Sequence, residues 1–342
     1  MYLLKEQLNF DMKRYIALVL LMQSCWPIQP GSRKNGEFLN DVVRLEEFNS
    51  EFDDYNSDLP YNRSGHTYLT FSSKRDRKNV FNLVSFPAQF TYDKRLGLEK
   101  YNPGGVQYDS FVDKGALEGM INRANGTFNV FGPKTLKFGY DIQSDYTKRN
   151  FFLFYADDSE GDMQIRYFLN DDKGISGPFN FDILNSKKDD GYPSFSYAGD
   201  KIYFSSNRDG NFDIYELSIP RKEGEQVTPE SLLHPESYKL RKVEELSSPG
   251  DDKCPYFQDG MMVFVSDRSG GFGGSDVYYA KLDGEKWSEP VNAGQRINSA
   301  NNEYRPILPA QMHFNYPLMI FSSDRPGGKG GFDLYMSGLT KQ

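Results

Sequence analysis

Arg75, Arg208, Arg268 and Arg325 each stand two residues beyond a serine that closes an apolar run, and Arg123 ends a fainter copy of the same phrase. Two of these turns carry an acid as well, Asp267 and Asp324. A second set, Asp189, Asp190, Asp251, Asp252 and Glu303, closes a repeated Asn/Ser loop phrase. A planar guanidinium pairs bidentately with a carboxylate. The two sets therefore allow two chemistries. One is a polar face that captures a peptide terminus or a polar glycan, and the other is a set of internal ties between neighbouring repeats.

Other chemistry finds little footing. The only histidines, His66, His234 and His313, have no ligand spacing among them, so no zinc site is expected. Asp209-Gly210-Asn211-Phe212-Asp213 alternates oxygen side chains but lacks a closing bidentate Glu, so calcium is not expected either. No nucleophile elbow, phosphate loop or dinucleotide fingerprint occurs, and no cofactor is expected. With 48 acidic residues, no single carboxylate pair stands out as a glycosidase dyad. A binding role without catalysis is the leading expectation, with a carbohydrate-active protein (glycoside hydrolase or lyase) or a purely architectural subunit of a secretion or motility assembly as alternatives. The net charge of −8 and the scattered lysines and arginines argue against nucleic acid.

These residues are carried by a repeat. An apolar strand ends in Ser, an Arg-containing turn follows, and a second strand opens with Asp or Asn. Clear copies run over 202–215, 262–278 and 319–335, and weaker ones over 69–81, 120–131 and 152–166. The average interval is about 51 residues, the period of a radial all-β array. The near-continuous apolar central strands fit sheets buried on both faces. The spacing predicts an all-β, six-bladed β-propeller over residues 38–342, with five or seven blades as less favoured counts. The loop phrase recurs at 48–54, 184–190, 246–252 and 297–303, with degenerate copies near Asn102 and Gln143, and Pro193, Pro255 and Pro306 follow it. Residues 287–291 read as an outer strand. The last repeat stops after its third strand, so residues 42–47 are expected to complete the last blade and remove its free edge.

The N-terminus reads as an address. Lys13-Arg14 precedes an apolar run over 15–22 that is too short to span a bilayer, and Ser24-Cys25 follows. Cys25 here resembles a lipobox cysteine. Residues 1–25 are thus expected to be a signal peptide that leaves a lipidated Cys25, and 26–37 a tether. Cys254 would then be an unpaired thiol.

The stretch Ser266-Asp267-Arg268-Ser269-Gly270-Gly271-Phe272-Gly273-Gly274-Ser275-Asp276-Val277-Tyr278 resembles the WD-repeat-like propellers of the TolB type. Lys286-Trp287-Ser288-Glu289-Pro290-Val291-Asn292 is similar to copies in Bacteroidetes envelope proteins. The resemblance is strong over 190–340 and weak over 40–190. It implies a protein-interaction platform in the cell envelope and no particular ligand. With Cys25 as anchor and a tether that is not acidic, the expectation is an outer-membrane-associated, periplasm-facing lipoprotein that binds an envelope protein or peptide, with a polysaccharide as the other ligand class.

Overall fold

The computed structural model describes residues 41–60, 66–76, 79–93, 97–101, 113–137, 150–222, 227–309 and 317–339. These belong to one unit, Gly36–Gln342. Cys25, the signal and tether segments, His313, and the degenerate loop copies at Asn102 and Gln143 lie outside the described residues.

Among the described residues the chain forms five antiparallel blades. Blade 1 holds β2 (Asp54–Asp58), β3 (His66–Ser73), β4 (Asn82–Asp93) and β5 (Gly97–Tyr101). Blade 2 holds β6 (Val130–Lys137), β7 (Phe151–Asp157), β8 (Gln164–Asp171) and β9 (Gly174–Asn180). Blade 3 holds β10 (Asp190–Phe195), β11 (Lys201–Ser206), β12 (Asp213–Ser218) and β13 (Lys239–Lys242). Blade 4 holds β14 (Asp252–Gln258), β15 (Met261–Ser266), β16 (Asp276–Asp283), and the short β17 (Lys286–Trp287) and β18 (Val291–Asn292), where an outer strand is expected. Blade 5 holds β19 (Glu303–Ile307), β20 (Leu318–Ser323) and β21 (Asp333–Gly338). The inner strands pack in the cyclic order β2, β6, β10, β14, β19 and back to β2.

Closure follows the sequence expectation. The strand β1 (Val43–Arg44) pairs with β21, placing Val43 opposite Met336 and Arg44 opposite Tyr335. The Asn49 amide then brackets Leu334, donating to its carbonyl at 3.0 Å and accepting from its N–H at 2.8 Å.

The blade count corrects the sequence reading from six to five. Residues 120–123 are not the end of a strand but lie in a helix, α1 (Lys114–Ala124), capped by the Asp113 carboxylate on the Ala116 N–H. Its buried residues Leu117, Met120, Ile121 and Ala124 follow the i, i+3, i+4, i+7 spacing of one helical face. That face packs against Tyr68 and Leu83 of blade 1 and Phe151, Leu153 and Phe168 of blade 2. Residues 129–131 likewise lead into an inner strand, so the two weakest sequence copies merge into one blade. In blade 1 the third strand opens at Asn82 rather than at Asn79.

Candidate functional site

The inner strands begin, the central strands end and the third strands begin on one face, hereafter the upper face. The candidate arginines are placed there, each within its own blade. The Arg75, Arg208, Arg268 and Arg325 guanidiniums meet Asp54, Asp190, Asp252 and Glu303 at 2.8, 2.7, 2.6 and 2.9 Å. Those four carboxylates are fully buried. Each guanidinium also donates to a serine hydroxyl, as Arg268 does to Ser266 at 2.9 Å, and to a carbonyl of the loop phrase, as Arg268 does to Leu246 at 2.7 Å. Each also lies over two aromatic rings of its blade, as Arg268 does over Phe264 and Tyr278. Arg123 donates from α1 to the carbonyls of Ile175 and Gly177 in β9.

The ties between blades come from the residue just before each inner strand. Asp53, Asn129, Asp189, Asp251 and Asn302 accept the backbone N–H of Phe332, Phe81, Met163, Phe212 and Ser275 in the preceding blade, at 2.9 to 3.1 Å for the side-chain oxygen. Across the same rim Asp267 accepts the Asp251 N–H at 2.7 Å, and Asp324 accepts the Asn302 N–H and amide. All the predicted face residues are thus engaged inside the propeller. The Asp251 carboxyl is pushed up by burial, but the Lys253 ammonium and the Phe212 N–H more than offset this and hold it below the usual carboxylate range.

A different set of side chains occupies the axis. In all five inner strands the ladder is shifted by a bulge after the second residue. The next residue, Asn56, Gly132, Tyr192, Cys254 or Arg305, has φ between 45° and 60°. This left-handed conformation is unfavourable for side chains such as Tyr and Arg. At Gly132 it is required twice over, since a Cβ there would come within 2.5 Å of the Tyr192 ring.

Three layers result. Uppermost, half-buried aromatic rings converge from several blades: Tyr55 meets Phe81 at 4.5 Å, Phe332 at 5.6 Å, Tyr304 at 5.7 Å and Phe131 at 6.2 Å. Lys74 lies over Phe81 at 4.4 Å, and Lys253 lies over Phe212 at 5.2 Å. Below them Tyr192 of blade 3 meets Tyr304 of blade 5 at 6.2 Å, a contact between non-adjacent blades across the axis. Arg305 lies over the Tyr192 ring at 5.3 Å. Deeper still, Lys134 of blade 2 pairs with Asp58 at 3.0 Å and donates to the Tyr256 hydroxyl of blade 4 at 3.3 Å. Burial pushes the Tyr55, Tyr192 and Tyr304 hydroxyls well above their ordinary range, so they stay neutral hydrogen-bonding groups.

These axial residues escape the sequence reading. The available signal is an aromatic residue immediately before the third strand in three blades, Phe81, Phe212 and Phe332.

No family model matches the chain, and no curated protein matches it. Among solved structures it is similar to the catalytic domain of the Coprinopsis cinerea GH62 α-L-arabinofuranosidase, at 12% identity over 88% of this chain and 95% of that one, with a TM-score of 0.48. It is similar to an α-L-arabinofuranosidase from Lactobacillus brevis, at 11% identity over 91% and 94%, with a TM-score of 0.41. It is also similar to TolB from Acinetobacter baumannii, at 13% identity over 83% and 65%, with a TM-score of 0.36. TolB-type propellers therefore stand among the structural neighbours, as the motif resemblance implies. The expectation of a chain that is not an enzyme is corrected to this extent: α-L-arabinofuranosidases and a glycosyl hydrolase from Bacteroides ovatus recur among the structural neighbours. None of these likenesses transfers a substrate to this chain.

Proposed function

We propose that this protein is a carbohydrate-active propeller whose upper axial mouth receives a saccharide. The observation that carries the reading is the convergence of half-buried aromatic rings around Tyr55, flanked by Lys74 and Lys253. Ligand sites combine apolar and aromatic walls with a few placed polar groups. Aromatic faces suit the C–H faces of a pyranose or furanose, while the lysines and the neighbouring Asp53 and Asp251 suit its hydroxyls. The outer polar rim is less suited to this role, because its acids and arginines bond to one another.

Affinity electrophoresis against a panel of neutral and acidic polysaccharides, paired with a reducing-end release assay, tests the reading. Retardation by at least one polysaccharide is expected, and Phe332→Ala and Tyr55→Ala should weaken it at least tenfold. If the folded protein is retarded by none of them, or both variants bind as the parent does, the rings serve only to close the top of the core. For localisation, we propose attachment to the cell envelope through Cys25. Cys25→Ser should move the protein to the soluble fraction, and unchanged membrane partition would remove that proposal.

A further inference from the structure

Arg305 is fully buried, and its Nε, Nη1 and Nη2 atoms make no hydrogen bond. The guanidinium carbon lies over the Tyr192 ring, 5.3 Å from its centroid. A guanidinium carries five N–H donors. Burying such a group without hydrogen bonds or a counter-charge is costly. The four arginines of the outer rim show the contrast, since each has a buried carboxylate, a serine and a carbonyl.

Among the described residues the surroundings supply no unpaired anion. Lys134 and Asp58 neutralise each other one layer below, and Asp58 spends its other oxygen on the Thr135 N–H at 2.8 Å. Burial keeps the Tyr192 and Tyr304 hydroxyls protonated, and it pushes the Cys254 thiol up to about 11 against the opposing pull of Arg305 and Lys253. The axis therefore holds an excess positive charge at Arg305. In β19 this residue directly follows Tyr304, which belongs to the mouth, and it is held at φ 45°, a conformation a long side chain adopts at a cost.

We propose that Arg305 recognises the carboxylate of an acidic saccharide, a uronate unit whose ring lies in the aromatic mouth; because Arg305 has no accessible surface, binding requires the Tyr192 and Tyr304 rings to move aside. This rests on the saccharide reading of that mouth and adds charge selectivity to it. The planar fork matches a carboxylate bidentately. Lys74 and Lys253 at the rim are each paired with a carboxylate, Asp53 and Asp251, at 2.9 Å, so the charge selectivity falls on Arg305.

Calorimetric titration of the full chain with oligoglucuronate and oligogalacturonate, their methyl esters, neutral oligosaccharides of equal length, and acetate tests this. Acidic oligomers should bind at least tenfold tighter than the esters, which keep the shape and lose the charge. Arg305→Met should lose at least tenfold in affinity for the acidic oligomers, with Arg305→Lys between. Should the variants fail to fold, the acid-against-ester comparison on the unaltered protein decides alone. Equal binding of acid, ester and neutral oligomers overturns the assignment while leaving the mouth as a saccharide site. Acetate binding as tightly as the uronates overturns it in favour of a free-anion site. Absence of binding by every saccharide overturns both readings.

Discussion

The buried carboxylates at the heads of four inner strands gain nothing from water, so the arginines opposite them carry their stability. Arg268 touches Asp252, Ser266, the Leu246 carbonyl and two rings at once. Arg268→Ala leaves the Asp252 carboxylate buried without its counter-charge, and urea denaturation should show a loss on the order of 3 kcal/mol. A change under about 0.5 kcal/mol would mean that the serine and backbone donors suffice. Cys254 gives a second expectation. Its folded thiol is raised from an ordinary 9.0 to about 11 by burial. The native state thus keeps a proton that the unfolded state releases, so this contribution is full below pH 9 and is lost as pH rises toward about 11. At pH 8 the native thiol should resist a thiol-disulfide reagent that labels the unfolded chain at once. Fast labelling of the native protein would show that the site opens.

At the scale of the element, the ring depends on short pieces that the sequence places far apart. The two-residue β1 supplies only two ladder positions, and the Asn49 amide adds a bracket on Leu334 across 285 residues of sequence. Asn49→Ala leaves the buried Leu334 N–H without its partner, while the Leu334 carbonyl keeps the Leu45 N–H at 2.9 Å, and the expected loss is about 2 kcal/mol. Deleting residues 38–50 should lower the melting temperature of the whole protein, since it also removes Phe48 from the core. A truncated protein that melts like the parent would refute closure by this strand. The helix α1 shows where local reading misled. Its apolar spacing is legible in Leu117, Met120, Ile121 and Ala124, yet Met120-Ile121-Asn122-Arg123 also matches the end of a repeat strand. The five-fold inter-blade hydrogen bonding left no place for a sixth sheet there.

For the molecule as a whole, the Ser/Arg turns, the Asp or Glu that opens the inner strand, and the edge-sealing N-terminal strand were all legible. Each Arg–carboxylate pairing within a blade links residues only 16 to 22 positions apart, so a repeat in the sequence is a repeat in space. That is why residue types alone determined an all-β propeller and the chemistry of its turns. Only the tertiary structure decided the number of blades and the content of the axis. The bulged positions carry Asn, Gly, Tyr, Cys and Arg, which share no side-chain chemistry. Tyr192, Tyr304, Lys134, Tyr256 and Arg305 come from blades that meet only after the ring has closed. A lone buried guanidinium is a property of that closure, because its lack of a partner depends on every blade facing it.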